Sequence, residues 1–184
     1  LYALNESSGK LLWKAELGVG WSSFSVAGGR VFVPVQGLNE EGQGGTGKYP
    51  CCTFRGSLVA LDANTGAQLW KTYTVPAPGE PGSETWPAGG DHYKRGGATI
   101  WMTGNYDPET NLTFWGTGNG GPWMGDQRPG DNLYTASTVA IDAATGQIKG
   151  HQQYNPNESW DWDEVSPPIL VDYRRDGRTI KGLI

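Results

Sequence analysis

Two carboxylates in the C-terminal third of the chain have a spacing that suits a metal ion. Asp161 and Asp163 are separated by Trp162. Positions i and i+2 of an extended segment face the same side, so both carboxylates are expected to converge on one cation of high charge, with Trp162 pointing into the core. Asn119 follows Gly118 in a predicted tight turn, and its amide oxygen suits a hard cation such as Ca²⁺. The alternatives are a solvent-facing Asp163 and an asparagine that only favours the turn.

Other side chains that could bind a ligand or take part in a reaction are an indole, two thiols and two imidazoles. Trp101 offers a flat, rigid platform for a planar ring, although packing is the alternative in a chain with 9 Trp. Cys51 and Cys52 are adjacent and either close a strained disulfide ring, which needs an oxidising compartment, or remain buried thiols. His92 and His151 are not at metal-ligand spacing, which favours surface or packing roles.

The composition indicates short strands joined by turns. Hydrophobic residues make up 36% of the 184 residues, and 29 Gly and 12 Pro interrupt the chain too often for long amphipathic helices. The net charge is -5 without a basic stripe, which argues against a nucleic-acid partner. No apolar run of about 20 residues exists that could span a membrane.

A repeated pattern provides the framework for these residues. The pattern A-x-D-x-x-T-G-x-x-x-W occurs at 60–70 and recurs with substitutions at 3–13 and 140–150, where Gly150 replaces the tryptophan. Each copy predicts a β-hairpin. The Asp or Asn caps backbone N–H groups of the turn, the Gly supplies a positive φ, and the Trp packs between neighbouring sheets.

Further short runs rich in β-branched or aromatic residues predict more strands. They are residues 30–35, 58–61, 67–73, 99–102, 112–116 and 169–173. Hairpins that cannot bury both faces alone must stack, and radial stacking of four-stranded sheets makes a β-propeller. The prediction is an all-β chain with about three blades, forming part of a single propeller domain over 1–184. Its long connections, 37–50 and 75–97, are expected to reach over one face of the disc.

Three stretches accompany the repeat in a fixed order. They are 96–119, which contains G-G-A-T-I-W and ends in G-T-G-N, then 128–134, R-P-G-D-N-L-Y, and 157–163, N-E-S-W-D-W-D. Together with the repeat, they resemble the alcohol dehydrogenases that use pyrroloquinoline quinone (PQQ). The resemblance implies part of a PQQ-binding β-propeller domain, which is eight-bladed in the full-length family.

The resemblance also implies roles at the site. Trp101 would form the floor under the PQQ ring, and Arg55 would contact the cofactor. Asn119 would bind the metal, and Asp161 would be both a metal ligand and the general base that takes the hydroxyl proton of the alcohol. Asp163 stands where relatives that use a lanthanide carry Asp, whereas relatives that use Ca²⁺ usually carry a small residue.

The sequence departs from the family at a glutamate ligand. Relatives carry that glutamate just before an Arg-Gly pair, and here Cys51 stands four residues before Arg55. Glu40 or Glu41 fits the distance from the 30–35 strand, and we expect one of them to bind the metal; the alternative is two solvated loop carboxylates.

The cysteine pair is a second departure. The family has a vicinal disulfide on the opposite face of PQQ from the Trp, but it comes earlier in the chain than Cys51 and Cys52 do. We expect Cys51 and Cys52 to form a vicinal disulfide that contacts the cofactor, even though it need not be the equivalent feature. The C-C-T-F-R-G stretch resembles polyvinyl-alcohol dehydrogenases more closely, which implies a larger or polymeric alcohol.

The implied function is oxidation of an alcohol to an aldehyde or ketone by hydride transfer to PQQ bound with a lanthanide ion or Ca²⁺. The expected electron acceptor is a c-type cytochrome, and the expected compartment is the periplasm. The alternative is a non-catalytic propeller that acts as a scaffold or binding module; it would not need Trp101, Asn119, Asp161 and Asp163 together.

Both ends resemble interrupted repeat units, so we expect a fragment of a longer protein that is inactive alone.

Overall fold

Short antiparallel strands account for nearly all the regular structure. The computed structural model describes residues 1–18, 20, 22–36, 54–89 and 91–184. The strands are β1 (Tyr2–Leu4), β2 (Leu11–Lys14), β3 (Ser25–Ala27), β4 (Arg30–Val35), β5 (Ser57–Asp62), β6 (Gln68–Tyr73), β7 (Asn105–Asp107), β8 (Leu112–Gly116), β9 (Ser137–Asp142), β10 (Ile148–Gln153), β11 (Leu170–Arg175) and β12 (Arg178–Leu183). The helical segments are α1 (His92–Arg95) and two 3-10 turns, Ser83–Thr85 and Gly125–Gln127. No helix in these ranges is long and apolar enough to cross a membrane.

The strands form two four-stranded sheets and two hairpins. The sheets have the orders β3-β4-β5-β6 and β10-β9-β8-β7, and the hairpins are β1-β2 and β11-β12. Each sheet is an up-and-down meander in which consecutive strands pair. Two full blades flanked by two hairpins confirm the all-β prediction of a partial propeller.

The repeat turns have the predicted chemistry. Asp62 accepts a hydrogen bond at 2.8 Å from the N–H of Thr65, and Gly66 follows with a φ of +73°. Asp142 and Asn5 accept the corresponding bond in their own turns at 2.9 Å. The side-chain oxygen therefore accepts hydrogen bonds from backbone N–H groups that have no backbone acceptor within the tight turn.

The tryptophans of the repeat join successive sheets. Trp13 donates its indole N–H to the carbonyl oxygen of Ala63 at 3.0 Å, and Trp70 donates to Ala143 at 3.1 Å. The Trp70 ring lies directly on the next turn, because a Cβ added to Gly146 would come within 2.7 Å of it. The predicted docking between sheets is confirmed for both tryptophans.

The main core fills the space between the two four-stranded sheets. Phe32 packs against Trp70 and Trp115, with ring centroids 5.9 and 6.5 Å apart. Trp115 is fully buried, and Ile100 and Tyr134 extend the cluster from the connections. These connections are therefore fixed to the blades by apolar packing.

The predicted strand at 99–102 is wrong. Gly97 and Ala98 have φ angles of +76° and +52°, so the backbone enters this segment in a left-handed conformation instead of an extended one. The first strand of that sheet is β7, which begins at Asn105. The 75–97 connection contains a 3-10 turn and α1, and Trp86 within it donates its indole N–H to the carbonyl oxygen of Leu133.

Candidate cofactor and metal site

Three segments that are distant in sequence meet at Gly118. Its N–H donates to the carbonyl oxygen of Thr99 at 2.7 Å, and the N–H of Asn119 donates to Asp163 Oδ1 at 2.5 Å. A Cβ added to Gly118 would lie 2.7 Å from Trp101 Nε1 and 2.8 Å from Asp163 Oδ1. Only glycine lets both side chains come so close to this backbone, so the fold itself brings Trp101, Asn119 and Asp163 together.

Trp101 presents an unused donor beside this meeting point. Its ring is half-buried, and its buried Nε1 has no hydrogen-bond partner among the described residues. The hydroxyl of Thr99 is in the same situation two residues earlier. An unpaired buried donor costs about 1–3 kcal/mol, so two of them together fit a site that receives acceptor oxygens from a ligand. A planar quinone rich in oxygen atoms could supply such acceptors.

Asn119 is held by its backbone. It is 6% exposed, and its carbonyl oxygen accepts a hydrogen bond from the N–H of Ala98 at 2.8 Å. Its amide Nδ2 donates to the carbonyl oxygen of Gly120 at 3.4 Å, which leaves the side-chain oxygen available as a ligand. The residue is therefore positioned by main-chain contacts that a metal would not have to displace.

Asp163 is a half-buried carboxylate in a negative environment. Burial raises its pKa, the N–H of Asn119 partly offsets this effect, and the carboxylates of Asp161 and Glu158 raise the pKa further. A cation bound nearby would offset both the cost of burying the ionised carboxylate and its repulsion by the neighbouring carboxylates. The donors gathered here are carboxylate and amide oxygens, which hard cations such as Ca²⁺ and lanthanides prefer.

Asp161 does not share the conformation predicted for an extended segment. Its φ is +64°, and its side chain is exposed. This left-handed residue interrupts the alternation of sides, and Trp162 is 66% exposed. The prediction that Trp162 points into the core is therefore wrong. Asp161 remains close enough to raise the pKa of Asp163 by repulsion.

The remaining predicted metal and disulfide residues lie outside the described part of the chain. They are Glu40, Glu41, Cys51 and Cys52, all within 37–53. In the described ranges, no three His, Cys, Asp or Glu side chains converge as a metal-binding group. The roles of these four residues stay predictions.

Arg55 lies at the base of the 75–97 connection. Its guanidinium stacks 3.7 Å from the ring centre of Tyr73, and its Nε donates to the carbonyl oxygen of Val75 at 2.8 Å. Burial lowers its pKa, and Tyr73 and Glu80 partly offset the effect. These contacts attach the connection to β6; contact with a cofactor stays a prediction.

The two histidines lie apart from this site. His151 packs edge-on against Tyr134, with ring centroids 5.0 Å apart. His92 begins the short helix α1. Both positions agree with the predicted surface or packing roles.

Sequence reasoning assigned no role to Gly118, Arg128 or Glu158. Arg128 and Glu158 are 0% and 1% exposed, although both are charged. Arg128 belongs to the stretch 128–134 and Glu158 to the stretch 157–163, so the only signal in the sequence was that each is a charged residue within a motif. The long-range contacts that bury them could not be deduced from local spacing.

Family models match the chain in two overlapping parts. The model described as glucose/ethanol/alcohol dehydrogenase, β-propeller domain, matches residues 54–184. The model described as outer membrane protein assembly factor BamB matches residues 1–81.

Individual relatives cover nearly the whole chain. The quinoprotein alcohol dehydrogenase PedH of Pseudomonas putida is 34% identical over 198 residues, which are 98% of this chain and 32% of the relative. The quinohemoprotein alcohol dehydrogenase of Comamonas testosteroni is 34% identical over 199 residues, 100% of this chain and 27% of the relative. The solved structure of a europium-containing methanol dehydrogenase aligns with a TM-score of 0.80 and 30% identity, over 99% of this chain and 34% of its own. The chain thus spans about a third or less of the length of these proteins.

Proposed function

This chain belongs to the β-propeller family of PQQ-dependent alcohol dehydrogenases, and we propose that the full-length protein oxidises an alcohol to an aldehyde or ketone with metal-bound PQQ. The observation that supports this most directly is the meeting of Trp101, Asn119 and Asp163 at Gly118. A propeller that served only as a scaffold would have no need to place an indole, an amide and a carboxylate around one glycine.

The residues at this point fit both groups. Trp101 would hold PQQ by stacking, as the flat platform that a planar quinone needs. Asn119, Asp161 and Asp163 would hold a lanthanide ion or Ca²⁺, with Glu40 or Glu41 as the further carboxylate. PQQ and the metal, when bound, supply a hydride acceptor polarised by a Lewis acid.

Asp161 is the proposed general base. Its exposed carboxylate is accessible to a substrate, while Asp163 is tied to the backbone of Asn119. The backbone φ of +64° at Asp161 is energetically costly for most residue types, and Asp tolerates it better than most. The Asp161 carboxylate would thus take the hydroxyl proton of the alcohol while the hydride from the carbinol carbon would go to PQQ.

The proposal extends to features outside the described residues. Cys51 and Cys52 would form a vicinal disulfide, as an oxidising periplasm permits. The substrate would be a small or polymeric alcohol, and a c-type cytochrome would accept the electrons.

Substitution of Asp161 tests the base. Asp161→Asn removes the basic oxygen but keeps a residue that tolerates the left-handed backbone. In the full-length protein, dye-linked turnover should fall about 10²- to 10⁴-fold, the usual contribution of a general base, while PQQ binding persists. Asp126→Asn, which alters an exposed carboxylate in the Gly125–Gln127 turn, should leave turnover unchanged.

Two results would contradict the proposal in different ways. Normal turnover by the Asp161→Asn protein would remove Asp161 from the role of base. Failure of the wild-type protein to bind PQQ with any of these metals would instead support the scaffold alternative.

A further inference from the structure

A buried guanidinium connects the two loops that carry the proposed metal ligands. Arg128 is fully buried, and its Nε donates to the carbonyl oxygen of Pro122 at 2.7 Å, in the loop that follows Asn119. Its Nη2 donates to the carbonyl oxygen of Glu158, in the loop that leads to Asp161. One side chain therefore holds both loops through directed hydrogen bonds, which the rigid fork of arginine is suited to make.

The loop after Asn119 also packs closely on this side chain. A Cβ added to Gly120 would lie 2.5 Å from the Cζ of Arg128. The Nη1 of Arg128 donates to Asn132 Oδ1 at 2.5 Å, and Asn157 donates to the same oxygen at 3.1 Å. The network thus reaches the start of the 157–163 stretch from a second side.

Glu158 completes the network with a charge. It is 1% exposed, and its Oε1 accepts the backbone N–H of Trp160, directly before Asp161. Its Oε2 has no hydrogen-bond partner in the described part of the chain. Burial lowers the pKa of Arg128, and the negative charge of the Glu158 carboxylate partly offsets this effect. A buried carboxylate with an unused oxygen is destabilising by itself, which points to a role other than packing.

We infer that Arg128 and Glu158 are positioning residues that hold the loop carrying Asp161 and Asp163 against the turn carrying Asn119 before any ion binds. The inference rests on the proposed function, because the ligands it positions are those of the proposed metal site. Mutation of residues that orient metal ligands typically lowers metal affinity by about 10- to 100-fold. The Glu158 carboxylate also compensates the positive charge of Arg128 near a site that must accept a cation.

Two conservative variants of the full-length protein test the pair. Glu158→Gln keeps the shape and one acceptor oxygen but removes the charge, and Arg128→Lys keeps the charge but loses the fork. Tb³⁺ is the probe, and its emission is excited through tryptophan in protein supplied with PQQ. Each variant should raise the Tb³⁺ concentration at half-saturation by about 10- to 100-fold. For Glu158→Gln the loss should be larger for Tb³⁺ than for competing Ca²⁺, because repulsion from an uncompensated Arg128 scales with the charge of the ion.

A readout without metal separates this inference from the proposed function. Amide hydrogen exchange of peptides covering 157–163, in metal-free protein, should be faster in both variants than in wild type. Trp13→Phe is the control, because it loses the bond to Ala63 and part of the ring that packs on the Gly66 turn, at a sheet contact outside this network, and should lower the unfolding temperature without changing exchange at 157–163. Unchanged exchange in both variants would overturn the inference. If exchange is faster in both but wild-type protein binds no Tb³⁺, the positioning of the loop stands and the proposed metal site fails.

Discussion

At Gly118 the absence of a side chain lets an indole and a carboxylate approach the same backbone. Gly118→Ala would place a methyl group 2.7 Å from Trp101 Nε1 and 2.8 Å from Asp163 Oδ1. Both groups must then move, so we expect PQQ and metal to bind at least about tenfold more weakly, which corresponds to roughly 1.4 kcal/mol or more. The measurement is a cofactor titration of the full-length protein.

The matched control for this substitution is Gly150→Ala. Gly150 lies in β10, and an added Cβ would meet nothing within 4 Å. We expect cofactor binding by the Gly150→Ala protein to equal that of wild type. Equal binding by both alanine variants would mean that close approach at Gly118 is not needed for the site.

Residue types at the site could be predicted from the sequence, but orientations could not. Asn119 and Asp163 were identified from their motifs, and the structure places them in contact. Trp162 was predicted to point inward because an extended backbone alternates sides. The positive φ of Asp161 removes that alternation, and no neighbouring residue type signals it.

The repeat hairpins were predictable because their turn chemistry is local. An Asp or Asn and a Gly at fixed spacing specify the cap and the positive φ, and the structure has the cap and the positive φ in each copy. The 97–101 segment was not predictable, because a positive φ at Ala98 depends on long-range pairing with Asn119. The buried network of Arg128 and Glu158 was missed for the same reason.

The capped turns should make blade stability depend on acid pH. The N–H of Thr145 is the main cause that holds the pKa of Asp142 below its ordinary value of 3.8, with desolvation opposing it. The ionised carboxylate therefore stabilises the fold above that value, and the contribution is lost as the pH falls through the lower, folded-state pKa. Asn5 caps the first repeat turn, which shows that an asparagine can make this cap. The Asp142→Asn protein should therefore fold but lack the pH-dependent stabilisation by the ionised carboxylate.

Thermal unfolding of the full-length protein from pH 7 to pH 3 measures this effect. Wild-type protein should unfold at a higher temperature than the Asp142→Asn protein at neutral pH, and the difference should shrink as the pH falls below about 3.8. Asp126→Asn, outside the repeat turns, should show no such convergence. A difference that is constant over this range would exclude ionisation of Asp142 as its source.

In the full-length protein, the preference for a trivalent ion over Ca²⁺ should depend on how many carboxylates the different segments of the chain contribute to the site. Asp161 and Asp163 come from one loop, and Glu40 or Glu41 would add a third negative charge from another. A trivalent ion gains more than Ca²⁺ from each carboxylate, because Coulomb attraction scales with the product of the charges. It is also the stronger Lewis acid at a quinone carbonyl. We therefore expect La³⁺ or Ce³⁺ to activate the reconstituted protein better than Ca²⁺.

Two substitutions at Asp163 separate its charge from its hydrogen bond. Asp163→Ala removes both the charge and the acceptor for the N–H of Asn119, and should reverse the metal preference towards Ca²⁺. Asp163→Asn keeps an acceptor oxygen for that N–H and removes only the charge, so charge-based selection requires the same reversal. Activity with each metal, measured by dye reduction, gives the preference. If only the alanine variant changes it, Asp163 acts by holding the Asn119 turn; if neither does, the site selects its metal through other residues.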